Sequence, residues 1–255
     1  MKEKKKHSIF RLFLIPLILI MFIQSGITLG TLVFRKTVDM IQEYSISIMS
    51  RMVENRKVIL ENDMTQRWSA IYEQEDGVNE IVRTFLQERH VSIRRVLTSS
   101  ELKQQMLEQI FPQCLEIIQS NMTTGIFLVL TGTDPNNSGV YDGFFIRDSD
   151  PAVSSMNYSD LLMERGAKEL ARMYNVSLDT YWRKSFELKP QGEREGDSFF
   201  YEPLRAGREN IDASIEDLGY WSMPFHLGGD KNDSHDMITY SIPLRYDGAV
   251  YGILG

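Results

Sequence analysis

The eleven residues HLGGDKNDSHD hold the chain's densest set of metal-capable side chains: His226 and His235, with Asp230, Asp233 and Asp236. Imidazole and carboxylate can share a divalent cation, but this spacing matches no structural zinc pattern. Glycine, asparagine and aspartate in such density also make a solvated loop, which fits the segment better. A second set lies in DPNNSGVYD. There Asp134, Asn136, Ser138 and Gly139 take positions 1, 3, 5 and 6 of a calcium loop, and Asp142 takes position 9. Position 12 falls on Phe145, which cannot supply the bidentate carboxylate of such loops. The same residue types build ordinary hairpin turns, so neither set assigns a metal or a cofactor.

Catalytic signatures are equally thin. The chain has no phosphate-cradling glycine loop, no nucleophile elbow and no HExxH helix. Ser198, in GDSFF, lacks the flanking glycines of a hydrolase elbow. No catalytic residue is assigned, and no enzymatic role is expected of the segment. Charge excludes another class. Residues 1–36 carry seven of the 28 basic residues and one of the 35 acids, a balance of +6, which leaves −13 on the remainder. An acidic body lacks the basic face that binds phosphate backbones, so no nucleic-acid partner is expected.

The elements that would position any site begin at a membrane. Residues 12–34, LFLIPLILIMFIQSGITLGTLVF, are 23 residues without a charge, enough to cross a hydrocarbon core about 30 Å thick. The run is too long for a signal peptide and ends on no small-residue cleavage site, so it reads as an uncleaved anchor in the lipid bilayer. Five basic residues precede it in the tail 1–11. That asymmetry predicts a cytoplasmic N-terminus and an extracytoplasmic body. Cys114 is the only cysteine, so no internal disulfide is possible, and a bacterial surface fits better than a eukaryotic one.

Beyond the anchor, Phe34, Val38, Ile41, Ser45, Ile48, Met52, Asn55, Ile59 and Asn62 fall at alternating spacings of four and three. This heptad seam suits either a stripe packed on its own body or pairing with a second copy in a homodimer. A break is expected at Gly77, then a stripe at Val78, Ile81, Val82, Phe85 and Leu86. A third helical segment follows, capped near Ser99-Ser100 and kinked at Pro112. Residues 35–120 are thus a helical stalk and lead-in.

Strands begin in 121–255. TGIFLVLTG and YDGFFIRDSDP are apolar, β-rich runs. SDLLMERGAKELARMYN reads as one helix with Ser159 or Asp160 as its cap. SFFYEPL and LGYWSMPF read as extended pieces. In the closing DMITYSIPLRYDGAVYGILG, Ile238, Tyr240, Ile242 and Leu244 alternate with Thr239, Ser241 and Pro243, and Asp247-Gly248 signals a tight hairpin. The fold class is α+β, a transmembrane and stalk helix leading into an antiparallel sheet with flanking helices. The chain ends inside what reads as an unprotected edge strand, so the expectation is the front part of a longer protein, incomplete at its C-terminus.

This order, the closing MITYSIPLRYDGAVYGILG hairpin, and the stretches YDGFFIRDSDP and NYSDLLMERG resemble the double Cache (extracytoplasmic PAS-like) sensor of bacterial transmembrane receptors. The resemblance covers about residues 10–255. It implies a small-molecule ligand and a cytoplasmic output beyond this segment, a diguanylate cyclase or a histidine kinase. Amino-acid-sensing members carry an Arg two residues before a Trp, then a Tyr. Here Trp221 fits, but Gly219 stands at the Arg position and Ser222 replaces the Tyr. The carboxylate that such members place after the terminal strand would fall beyond Gly255. A pocket between the sheet and the 181–226 loops is expected, with Tyr201, Arg205, Tyr220, Trp221 and Tyr240 as aromatic walls and polar anchor. Taken singly, Trp221 and Tyr240 are also ordinary core aromatics. The alternative to a sensor is a membrane-anchored extracellular enzyme or surface-binding protein.

Overall fold

A computed structural model describes residues 9–120, 123–134, 137–149, 160–190, 192–227 and 235–255. The chain divides into two units, Met1–Asp63 and Met64–Gly255. The described part of the first is the leading part of helix α1 (Ile9–Arg89), and the large apolar side chains described there, from Phe10 to Leu60, are exposed. It is long and apolar enough to cross a membrane. The expected break at Gly77 does not occur. One glycine costs a helix only about 1 kcal/mol, and Gly77 sits against the Gln113 side chain, 3.8 Å from where a Cβ would lie. The helix ends instead at His90, whose φ of 53° is the left-handed conformation that stops helices.

In the second unit, Val78, Val82, Phe85 and Leu86 are buried as their spacing predicts. A short helix α2 (Ile93–Leu97) follows, with Ser92 accepting from the Arg95 N–H. Helix α3 (Ser100–Ser120) begins where Ser99 Oγ accepts from the Leu102 N–H, and it passes through Pro112 without ending.

The sheet forms from β1 (Gly125–Asp134), β2 (Asn137–Asp148), β3 (Leu161–Arg165), β4 (Ser177–Arg183), β5 (Phe186–Glu187), β6 (Tyr220–Trp221), β9 (Tyr240–Tyr246) and β10 (Ala249–Leu254). Its order is β4-β3-β2-β1-β10-β9-β6, with β5 beside β2. Among the described residues only β3 and β4 run parallel. The fold is therefore mixed α+β. Strands β7 (Phe225–His226) and β8 (Asp236–Met237) form a separate ribbon.

The apolar runs are unbroken because the sheet is buried on both faces. Ile126, Leu128 and Leu130 of β1 join one core with α1, α2 and α3, whereas Phe127 and Val129 join a second core with Phe199, Phe200 and Leu204. Those last three residues belong to α5 (Ser198–Glu209), a helix where an extended piece was expected. Phe199, Phe200, Pro203, Leu204 and Gly207 form its buried face. Gly207 lies so close to β9 that a Cβ there would stand 2.8 Å from Pro243.

Two further expectations change. The stretch read as one helix from Ser159 or Asp160 is strand β3, a turn at Gly166 with φ 128°, and then helix α4 (Lys168–Met173). Ser159 lies outside the described residues. The closing strand is not an edge. Strand β10 pairs with β1 on one side and β9 on the other, and the Gly255 N–H and C=O both bond to Phe127. The hairpin before it is as expected, with positive φ at both Asp247 and Gly248. Ile238 is exposed and precedes the strand.

Candidate functional site

A cavity of about 730 Å³ opens where β1, β2 and β10 end beside β6 and the 235–240 segment. Gly125 and Gly255 let the chain pass close to the rings of Phe145 and Phe127 there. Trp221 and Tyr240 form a neighbouring wall, their rings 5.0 Å apart and tilted by 46°. Met237 and Ile238 add apolar surface, while Arg147, Asp148, His235 and Asp236 supply the polar side. An apolar body with few convergent polar groups is the usual make-up of a small-molecule site.

The five residues expected to line one pocket separate. Trp221 and Tyr240 meet at this cavity. Tyr201 lies on α5 beside a second cavity of about 520 Å³, its hydroxyl 3.5 Å from that of Tyr141. Burial, and after it that contact, push the Tyr201 hydroxyl pKa up. Arg205 is exposed and pairs with Glu202. Tyr220 pairs with Ser241 across β6 and β9 and lines none of the cavities described. Tertiary structure also explains two departures from the amino-acid-sensing pattern. A Cβ at Gly219 would stand 1.7 Å from Tyr240 Oη, so a side chain there would require the Tyr240 ring to move. Ser222 is instead a pin, since its Oγ accepts from the Thr239 N–H at 2.9 Å and its own N–H bonds back to the Thr239 carbonyl.

Sequence reasoning passed over the charged wall. Arg147 of β2 donates through Nε to Glu164 Oε1 at 3.1 Å and through an Nη to Asp179 Oδ2 at 2.7 Å. Glu164 comes from β3 and Asp179 from β4. Both are buried, and the Glu164 side chain has no exposure at all. His235 Nε2 stands 3.7 Å from Glu164 and 4.0 Å from Asp179, with its ring edge-on to Tyr181. Burial, then the charge of Asp179, pushes the Glu164 pKa above the usual carboxylate range. Burial pushes Asp179 the same way, but the Tyr181 N–H and Arg147 outweigh it and hold Asp179 below its ordinary value. Two buried acids thus share one guanidinium. The one legible hint was Glu164-Arg165 directly after the apolar Leu161-Leu162-Met163, which means something only once that stretch is a strand.

The loop cluster is rearranged as well. His235 turns to Glu164 and Asp179, while His226 pairs with Asp236 at 2.9 Å. Asp230 and Asp233 lie outside the described residues. In the calcium-like stretch, Asp134 and Asn137 close the β1–β2 hairpin, and Asp142 pairs with the buried Lys103. Asn136 lies outside the described residues. No protein-family model matches the chain, and no curated protein sequence matches it.

Proposed function

We propose that the chain is the membrane-anchored sensing segment of a bacterial signal-transduction receptor. Its N-terminus would be cytoplasmic, its body extracytoplasmic, and its sheet a PAS-like sensor of the Cache type. The observation that carries this reading is the 730 Å³ cavity, walled by Trp221 and Tyr240 and rimmed by Arg147, Asp148, His235 and Asp236, in a chain whose N-terminal helix is apolar enough to span a bilayer. The mixed sheet with helices on both faces supports the family resemblance. A fitting ligand has an apolar body and a hydrogen-bonding or charged head. An amino-acid carboxylate held from position 219 does not fit, because that position is a glycine, where a side chain would require the Tyr240 ring to move.

Signalling requires that the ligand bind two arrangements of the receptor unequally. A homodimer through the stalk would provide them. The seam residues Phe34, Val38, Ile41, Ile48, Met52 and Ile59 are between 43 and 71% exposed, a stripe that a second copy would cover. The output, a diguanylate cyclase or a histidine kinase as the resemblance implies, would lie outside these 255 residues.

The test is a thermal-shift screen of the full chain in detergent against small metabolites, with calorimetry on each hit. A ligand that raises the melting temperature in wild type and loses that effect in Trp221→Ala supports the reading. A hit that binds Trp221→Ala as well as wild type, or a library without any hit, removes the cavity from the account.

A further inference from the structure

The charged wall beside the cavity has the composition of a cation site. Glu164 and Asp179 offer carboxylate oxygens and His235 an imidazole nitrogen, and the three ligand atoms lie within 4.8 Å of one another. The separations are informative. At 3.7 and 4.0 Å, His235 Nε2 is too far from either carboxylate for a hydrogen bond. Two ligands each about 2.1 Å from one ion at a tetrahedral angle stand about 3.4 Å apart, so small side-chain movements would close the gap.

A second observation points the same way. Glu164 Oε2 is buried and has no hydrogen-bond partner among the described residues. A buried carboxylate oxygen is normally satisfied by a donor or by a metal. Arg147 already serves both acids through Glu164 Oε1 and Asp179 Oδ2, and the Tyr181 N–H takes Asp179 Oδ1 at 2.8 Å. These contacts orient the carboxylates as outer partners of metal sites do.

We propose that Glu164, Asp179 and His235 bind a first-row divalent transition-metal cation, with an open coordination position facing the cavity. One imidazole and two carboxylates suit Zn²⁺, Mn²⁺ or Fe²⁺ better than a purely oxygen-seeking ion. Three protein ligands with a free position is the arrangement that leaves a metal able to hold a further ligand. The cation would anchor the polar head of whatever the cavity receives. This departs from the sequence reading, which assigned no metal, and it stands independently of the receptor reading because it concerns the cation alone.

The experiment titrates chelator-stripped full chain in detergent with Zn²⁺ by calorimetry and with Co²⁺ by visible absorption. Wild type should bind one Zn²⁺ per chain saturably and give Co²⁺ d–d bands. His235→Ala changes a residue 45% exposed and should fold normally by circular dichroism. It should weaken Zn²⁺ binding by more than the roughly 10–100-fold typical of outer-shell losses and abolish the Co²⁺ bands. Glu164→Gln, which keeps shape and removes charge, should do the same, whereas His90→Asn at the distant end of α1 should bind as wild type does. Absence of saturable Zn²⁺ binding, or equal binding by wild type and His235→Ala, overturns the assignment and leaves a closed ion-pair network.

Discussion

Two buried charge groups in the body contrast sharply. Lys103 of α3 is wholly buried, yet its ammonium has one carboxylate, Asp142, and one carbonyl, that of Gly132 at 3.2 Å. Charge matches charge, and the pair ties α3 to the β1–β2 hairpin. On the other side of the sheet Arg147 faces two acids, and one oxygen of Glu164 is left without a partner among the described residues. Ionised groups are costly to bury unless paired, so a one-to-one pair reads as fold-holding and a surplus acid beside a cavity reads as a site. The matched pair lies away from the 730 Å³ cavity, whereas Arg147 and His235 line it.

The comparison can be broken at its strongest point. Asp142→Asn would strand the Lys103 ammonium inside the protein, and breaking a buried pair from one side costs about 3 kcal/mol or more. Asp142 is a third exposed, so the lower end of that range is expected in chemical denaturation. A change below about 0.5 kcal/mol, the scale of ordinary surface substitutions, would show that the matched pair does not hold the fold.

Glu164→Gln tests the opposite pole. Burial already disfavours its ionised form, and glutamine keeps an acceptor for Arg147. Stability of the metal-free chain at neutral pH should stay within about 1 kcal/mol of wild type or rise. A loss as large as that of Asp142→Asn would erase the distinction between the two groups.

The smallest effect separates surplus acid from site. Glu75 on α1 is also pushed above the usual carboxylate range, by burial first and against an Asn79 hydrogen bond, but it does not line the cavity. A raised folded-state pKa means that the folded chain holds the proton more tightly than the unfolded chain. The stabilisation is then complete below the ordinary value of 4.5 and is lost as pH rises through the folded value. Glu75→Gln should flatten that part of the stability–pH curve and leave Zn²⁺ binding unchanged. An unaltered slope would show that Glu75 titrates alike in both states.

Much of the scaffold was legible because period encodes burial. The apolar spacing after Gly77 gave the buried Val78, Val82, Phe85 and Leu86, and the Asp247-Gly248 turn gave the last hairpin. Two elements were misread for opposite reasons. Helix α5 hides its helical spacing under Phe199, Phe200 and Tyr201, residues that favour strands, and under Pro203. Strand β3 is written in leucine, methionine and glutamate, which favour helices, and pairing with β2 and β4 overrides them. Of the expected pocket residues, only Trp221 and Tyr240 meet at the cavity. The charged wall stayed hidden because Arg147, Glu164, Asp179 and His235 come from four segments that only the sheet and the 235–240 return bring together.

The sequence alone determined the properties that a few neighbouring residues decide: an apolar helix of membrane length, an acidic body, a mixture of helices and strands, and a tight final turn. Tertiary structure decided that the last strand lies in the middle of the sheet, that α5 covers its second face, and that two acids share one arginine beside a cavity. The physical reason is range. Helix spacing and turn preference act over about one helical turn, whereas strand partners are chosen by burial between residues more than a hundred positions apart, such as Val129 and Ile253.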